Sequence, residues 1–291
     1  MKYLVAFFLL VSFTVPQVSF ASADGEYRER LLEMVAELQA LVRQLQASLE
    51  ENKSKLEIPD EEFSSIILAD DARVISRYRI SHPKSVESIS DTEEREFFAR
   101  FYYIVPDEFD SRFKELVLFD ERIETMDAFV ETIPPYTSHD WRFGMTKDIF
   151  EYEVDDKEVT ALFIHEFAHV VGYDGGKESD ILDSVECHEY FKWGCPPIGS
   201  YLDDFISTYW TDAVLDDFVV YGSDFWTERE QERMFVSSYA VTSPEEDFAE
   251  SFVEFIVQPK SSGTTVKDKK VNFFYQYSEL VEMREGLRLR L

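Results

Sequence analysis

The sequence predicts an α+β fold: a few short strands ahead of a mostly helical C-terminal half, preceded by an N-terminal amphipathic helix. Three patterns carry that expectation. Short runs rich in apolar and aromatic residues stand at Glu115–Phe119, Asp127–Val130 and Trp141–Met145, the composition of strands. Longer stretches at 160–172 and 243–257 repeat their apolar residues at helical spacing. Leu31, Leu38 and Leu45 recur every seventh residue, with Met34, Val35, Leu41, Val42 and Leu49 between them.

The chain has 291 residues, 45% hydrophobic and 15% aromatic, which is enough apolar surface for a large core and argues against extensive disorder. Its net charge of -30 disfavours nucleic acid and anionic membrane surfaces as partners. Residues 1–23 read as a signal peptide: Met1-Lys2, an apolar run from Tyr3 to Val15, then Ala21-Ser22-Ala23 as a cleavage site. Cleavage near Ala23 would deliver the chain out of the cytoplasm, to a periplasm, a cell surface or the medium. No later stretch is long and apolar enough to span a membrane, so none is expected once the signal is gone.

Residues 24–52 form the amphipathic, coiled-coil-like helix. It is suited to self-association through residues 26–51, to packing on the body, or to spacing the body from a surface. Residues 53–59 are polar and read as a linker, and the body occupies 60–291. Within it, Asp91 or Thr92 caps a helix whose first turn is acidic and whose Phe97, Phe98, Phe101 and Tyr102 form an apolar face. Ile133 to Thr137 is a loop, and His82 and His139 stand in no motif and read as surface residues. Cys187 and Cys195 could form a small disulfide loop in an exported protein. With His188 they fall short of a second zinc site, which needs a fourth ligand. Residues 173–236 form a long insertion with helices of its own, placed to wall a cleft. Its many aspartates could attract Ca²⁺, but no D-x-D-x-D-G loop is present and a solvated face explains them.

The stretch Thr160 to Gly172 contains His165-Glu166-x-x-His169. Residues four apart share a helix face, so both imidazoles can meet one metal ion, with Zn²⁺ the best match. Glu166 can then take the proton of a metal-bound water. Every other residue from Ala161 to Val171 is apolar, so the three polar side chains are buried and need partners. Gly172 reads as the helix stop. A second helix begins after Thr242 or Ser243, with Pro244 at its first position. A carboxylate from it would complete a His₂Glu site. Glu245 and Glu246 compete for that place, a one-residue slip turning the side chain by about 100°.

Taken together, Tyr239-x-x-x-Ser243-x-x-Glu246-x-Phe248-Ala249-Glu250-x-Phe252 after the H-E-x-x-H helix resembles the gluzincin metallopeptidases. The similar branch contains the catalytic domain of anthrax lethal factor, the Pro-Pro endopeptidases and exported bacterial zinc-binding metallopeptidases. The stretch Lys270 to Tyr277 with Glu279-Leu280-Val281 also looks like the ends of those exported proteins. The resemblance covers 159–172 and 238–257 well and the rest of about 60–291 loosely. It implies a zincin-like fold, one Zn²⁺ held by His165, His169 and Glu246, Glu166 as general base and Tyr239 as oxyanion donor. It gives Glu250 a supporting role behind the metal ligands. It also places the substrate-holding edge strand at Trp141–Met145. Two features depart from that family, a longer segment between the two motifs and Asp247 where the family is aromatic, so the resemblance does not extend to substrate specificity. The expected activity is exported, zinc-dependent hydrolysis of peptide or protein substrates. The rival is a cell-surface binding or structural module whose zinc is structural or whose catalysis is lost. Hydrolysis of amide bonds in cell-wall material is a third expectation, without any recognisable wall-binding module.

Overall fold

The structure, a computed structural model, describes residues 73–120, 127–133, 140–174 and 196–291. The expected signal peptide, N-terminal helix, linker, Cys187, Cys195 and His139 lie outside the described residues. Those described belong to a compact unit, Ser65–Leu291. They form an α+β fold of four strands and eight α-helices.

The strands are β1 (Arg73–Arg79), β2 (Phe113–Asp120), β3 (Ala128–Thr132) and β4 (Trp141–Thr146). They make one mixed sheet in the order β1-β2-β4-β3. β2 and β4 are parallel, with Leu116 opposite Phe143, and the outer pairs β1–β2 and β3–β4 are antiparallel. This corrects one expectation. The strand Trp141–Thr146 lies inside the sheet, and the edge next to it is β3, which antiparallel pairing of Val130 with Phe143 places outermost.

One face of the sheet is apolar. Leu116, Leu118, Val130, Phe143 and Met145 join the main core there. The other face carries a row of charge across all four strands: Arg77, Glu115, Arg142 and Glu131. Arg77 Nε donates to Glu115 at 3.1 Å, Arg142 Nε donates to the same carboxylate at 2.8 Å, and Arg142 also pairs with Glu131. Arg142 and Glu131 are 2% and 1% exposed, so pairing of this kind is what makes burial of their charges tolerable. Gly144 lies on this face opposite Phe129, whose ring fills the missing side chain's place. A Cβ on Gly144 would come within 2.2 Å of that ring.

β1 had no sequence signal of its own. Its residues alternate by partner rather than by hydrophobicity. Ser76 Oγ and Tyr78 Oη donate to Glu94 at 2.5 and 2.7 Å, while Arg73 donates to Asp120 at 2.7 Å.

Two helices pack on the apolar face. α1 (Thr92–Ile104) is capped by Asp91, whose side chain accepts from Glu94 N at 3.1 Å. α2 (Lys157–Gly172) is capped by Asp156, which accepts from Glu158 N at 2.7 Å. Phe101 stacks on Phe143 at 3.8 Å, and Phe163 of α2 meets both edge-on at 5.7 and 5.6 Å. Fully burying side chains of this size contributes roughly 1.5–3 kcal/mol each, which fixes α2 against the sheet. Arg100 of α1 donates to Thr160, and Arg112 pairs with Asp174 at 2.9 Å, so both ends of α2 are tied down.

The remaining helices are α3 (Tyr201–Tyr209), α4 (Asp212–Tyr221), α5 (Glu228–Met234), α6 (Pro244–Val257), α7 (Val266–Phe273) and α8 (Ser278–Arg288). α6 packs along α2, and the close approach falls at Gly172. A Cβ there would sit 3.2 Å from the Phe248 ring and 3.3 Å from Leu202 Cβ. Gly172 thus lets the two helices approach closely, and a larger residue would have to push Phe248 or Leu202 aside by a few tenths of an ångström. Gly172 is not a left-handed cap, since the positive-φ glycines among the described residues are Gly199 and Gly222.

Candidate metal centre

The motif helix brings His165 and His169 against α6, with Glu166 beside them. All three are buried, at 6%, 5% and 4% exposure. α6 supplies the opposing carboxylate. Ser243 accepts from Glu246 N at 3.1 Å, and Pro244 occupies the first turn where no N–H is needed. That start fixes the rotation of α6 and brings Glu246, rather than Glu245, to the histidines.

His165 Nε2, His169 Nε2 and a Glu246 oxygen form a triangle with sides of 3.0, 3.2 and 3.4 Å. The three residues are a group able to hold a metal ion. Zinc bonds of about 2.0–2.1 Å in tetrahedral geometry put ligand atoms about 3.3 Å apart. The triangle fits that spacing, and among the described residues no fourth His, Cys, Asp or Glu joins the group.

The donor chemistry also calls for a cation. Glu250, one turn beyond Glu246, accepts from His165 Nδ1 at 2.7 Å. Burial works against the ionised Glu250 carboxylate, but its bonds to His165 and Ser237 outweigh this and keep it below the ordinary carboxylate range. A carboxylate has no proton to give, so Nδ1 carries a hydrogen toward Glu250, which leaves Nε2 as the ring atom that would meet a bound metal. Nε2 faces the Glu246 carboxylate and His169 Nε2, so positive charge is held between them, as a proton on His165 or as a metal ion in its place. The titration of His165 reflects the same field. Burial alone would lower it, yet hydrogen bonds to Glu246 and Glu250 and the charge of Glu166 push it up to about 10. Glu246 is held well below the usual range by the two histidines, against the cost of its burial.

Family models, curated proteins and solved structures were compared with this chain, and none matches. What is known of the centre therefore comes from its own residues and distances.

Tyr239 stands over the group. Its ring centre is 5.6 Å from that of His165, and its hydroxyl is hydrogen-bonded to Glu246. Burial of that hydroxyl, then the charges of Glu246 and Glu166, keep it protonated far above the ordinary phenol range. The residue as a whole is 51% exposed, so it reaches from solvent into the group. The turn before α6 fixes it: Thr242 donates to the Tyr239 carbonyl from both its amide, at 3.0 Å, and its hydroxyl, at 2.7 Å. Ser237, at the start of that turn, holds Glu250. Nothing in the sequence marked Ser237, since a serine two residues before Tyr239 is unremarkable until the turn folds.

Asp247 faces away from the group. It is fully buried, accepts from Trp210 Nε1 at 2.8 Å, and pairs with Lys270 at 2.6 Å. Lys270 is 1% exposed and lies 3.8 Å from the centre of the Phe235 ring. Asp247, a departure from the family pattern, is an internal anchor between α6 and α7. The insertion behaves likewise over its described part. Trp210, Trp226 and Phe235 pack on one another edge-on or tilted, with ring centres 5.0 to 5.9 Å apart. His82 is exposed, as its sequence context suggested.

Proposed function

We propose that the protein is an exported zinc-dependent endopeptidase with a zincin-like catalytic domain of the gluzincin type. The observation that carries this reading is the 3.0–3.4 Å triangle of His165, His169 and Glu246, with Glu166 buried beside it. Three protein ligands with one direction left over is the arrangement of catalytic zinc, whereas structural zinc takes four.

His165, His169 and Glu246 would hold the metal. When bound, it supplies Lewis acidity, polarising the scissile carbonyl and lowering the pKa of a water molecule. Glu166 takes the proton from the attacking water and returns it to the departing amine. Tyr239, kept protonated by its acidic neighbours, donates a hydrogen bond to the oxyanion as it develops. Glu250 holds the His165 ring by Nδ1, so that Nε2 keeps its lone pair toward the metal position. The substrate is a peptide or unfolded protein, met outside the cytoplasm after removal of residues 1–23.

The test is cleavage of a peptide library by purified protein, with metal content measured alongside. One zinc per chain, turnover abolished by chelator, and a Glu166→Gln variant that keeps its zinc but loses at least 10²-fold in rate are the expected results. Full activity in that variant would remove Glu166 as the base. Zinc at one per chain with no turnover on any peptide would favour the binding-module reading.

A further inference from the structure

A cavity of about 230 Å³ opens beside the motif helix. Asp127, Ile149, Tyr152, Glu158, Val159 and Leu162 line it. Asp127 immediately precedes the edge strand β3, Ile149 and Tyr152 follow β4, and the other three belong to the first turns of α2. The cavity therefore lies where the edge strand begins and the motif helix begins.

Helical geometry connects it to the metal centre. At about 100° per residue, Glu158, Leu162, His165 and His169 fall within an arc of about 60°, and Val159 and Glu166 lie about 20° from each other on its flank. Cavity and metal group thus occupy one stripe of α2. Leu162 is about 6 Å along the axis from Glu166, at 1.5 Å per residue. An extended peptide advances about 3.3 Å per residue, so a side chain entering the cavity belongs to a residue within about two of the scissile bond.

The lining has two parts. Val159 is buried, Leu162 is partly buried and Ile149 is buried, so they give an apolar wall. Asp127 and Glu158 are exposed carboxylates at the mouth, and Tyr152 is a half-exposed ring beside them. A wall of this kind suits an aliphatic stem, and a mouth of this kind suits a cation that stays partly hydrated. A glutamate or aspartate side chain would meet like charge. Chain-wide charge points the same way, at -30.

We infer that this cavity is a specificity subsite that selects a lysine or arginine side chain within two residues of the cleaved bond. The inference rests on the endopeptidase reading and adds its substrate class. The stem lies along Ile149, Val159 and Leu162, and the charged end meets Asp127 and Glu158.

The experiment uses peptide sets with lysine, norleucine or glutamate at each position within two of the cleavage site. Wild-type protein is compared with an Asp127→Asn, Glu158→Gln double variant. Both changes keep side-chain size, and the Asp127 main-chain carbonyl still accepts from Thr146 N. At one position wild type should prefer lysine to norleucine by about tenfold or more in kcat/KM, the worth of a charge-assisted contact, and reject glutamate. The double variant should lose that preference while its rate on norleucine peptides holds. In a second arm, the library is captured on the Glu166→Gln protein and the retained peptides are sequenced. Enrichment of lysine and arginine, lost on adding the double substitution, supports the subsite even if nothing is cleaved, in which case the endopeptidase reading alone falls. No basic preference in either arm, or a preference untouched by the double variant, overturns the subsite.

Discussion

At the scale of single residues, the centre is a problem in proton placement. Glu250 holds a hydrogen of His165 on Nδ1, so Nε2 is the ring nitrogen left to meet a metal ion once its own proton is displaced. Glu250→Ala should therefore weaken zinc binding by 10- to 100-fold, read by competition with a chelator, with little change in fold. Glu250→Gln should fall between, since an amide oxygen can still accept from Nδ1 without the charge. Should both variants bind zinc as wild type does, His165 would not depend on this bond. The two histidines were readable in the sequence because a four-residue spacing projects them together whatever surrounds the helix. The third ligand was not readable that way. Glu245 and Glu246 both follow Pro244, and only the rotation set by the Ser243 cap decides between them.

At the scale of elements, α6 has two working faces. One bears Glu246 and Glu250, and the other bears Asp247 against Trp210 and Lys270. Removing one partner of a buried pair leaves an uncompensated charge. Lys270→Met should cost about 3–5 kcal/mol and lower the Tm by roughly 10 °C, whereas Lys270→Met with Asp247→Leu should recover much of that loss. A double variant no more stable than the single one would argue against the pair. Sequence could not expose this anchor, because aspartate at 247 looks like any helix-surface acid until Lys270 arrives from α7. β1 was hidden for a related reason: its Arg, Ser and Tyr side chains are satisfied by Glu94, Asp120 and Glu115, none of them local. The order of β3 and β4 was hidden because strand composition does not say which of two neighbours is outermost. Gly144 gives a further test. Gly144→Ala should destabilise by about 1–3 kcal/mol in chemical denaturation, because Phe129 must vacate the face, and Phe129→Leu in the same chain should relieve part of it.

For the whole molecule, the charged row across the sheet sets a pH limit. Burial opposes the Glu115 carboxylate, but the Arg77 hydrogen bond and the Arg142 charge prevail and hold it below its ordinary 4.5. A depressed carboxyl stabilises the fold above the unfolded value, and that contribution is lost as pH falls through the folded value. Wild type should thus lose stability from about pH 4.5 downward. Glu115→Gln should be less stable at pH 7, with the gap closing in acid. A gap that stays constant from pH 7 to pH 3 would exclude this linkage. The α+β class itself was legible from the alternation of short apolar runs and long helical ones, since burial of one face is a local pattern. Pairing across the sheet, which makes the charged row tolerable, is not local.

His165 and Glu246 are 81 positions apart, yet their ligand atoms meet at 3.0 Å. Viewed as polymer topology, an ion bound between them would be a clasp that closes a long loop. A covalent link over a loop of this length removes about 4.5 kcal/mol of chain entropy from the unfolded state, in the loop-closure description. Such a clasp would hold α6 on α2 as well as arming Glu166. Stripping the ion would therefore release a mechanical constraint and silence the chemistry in one event, so an intact catalytic centre and a closed chain would be the same state.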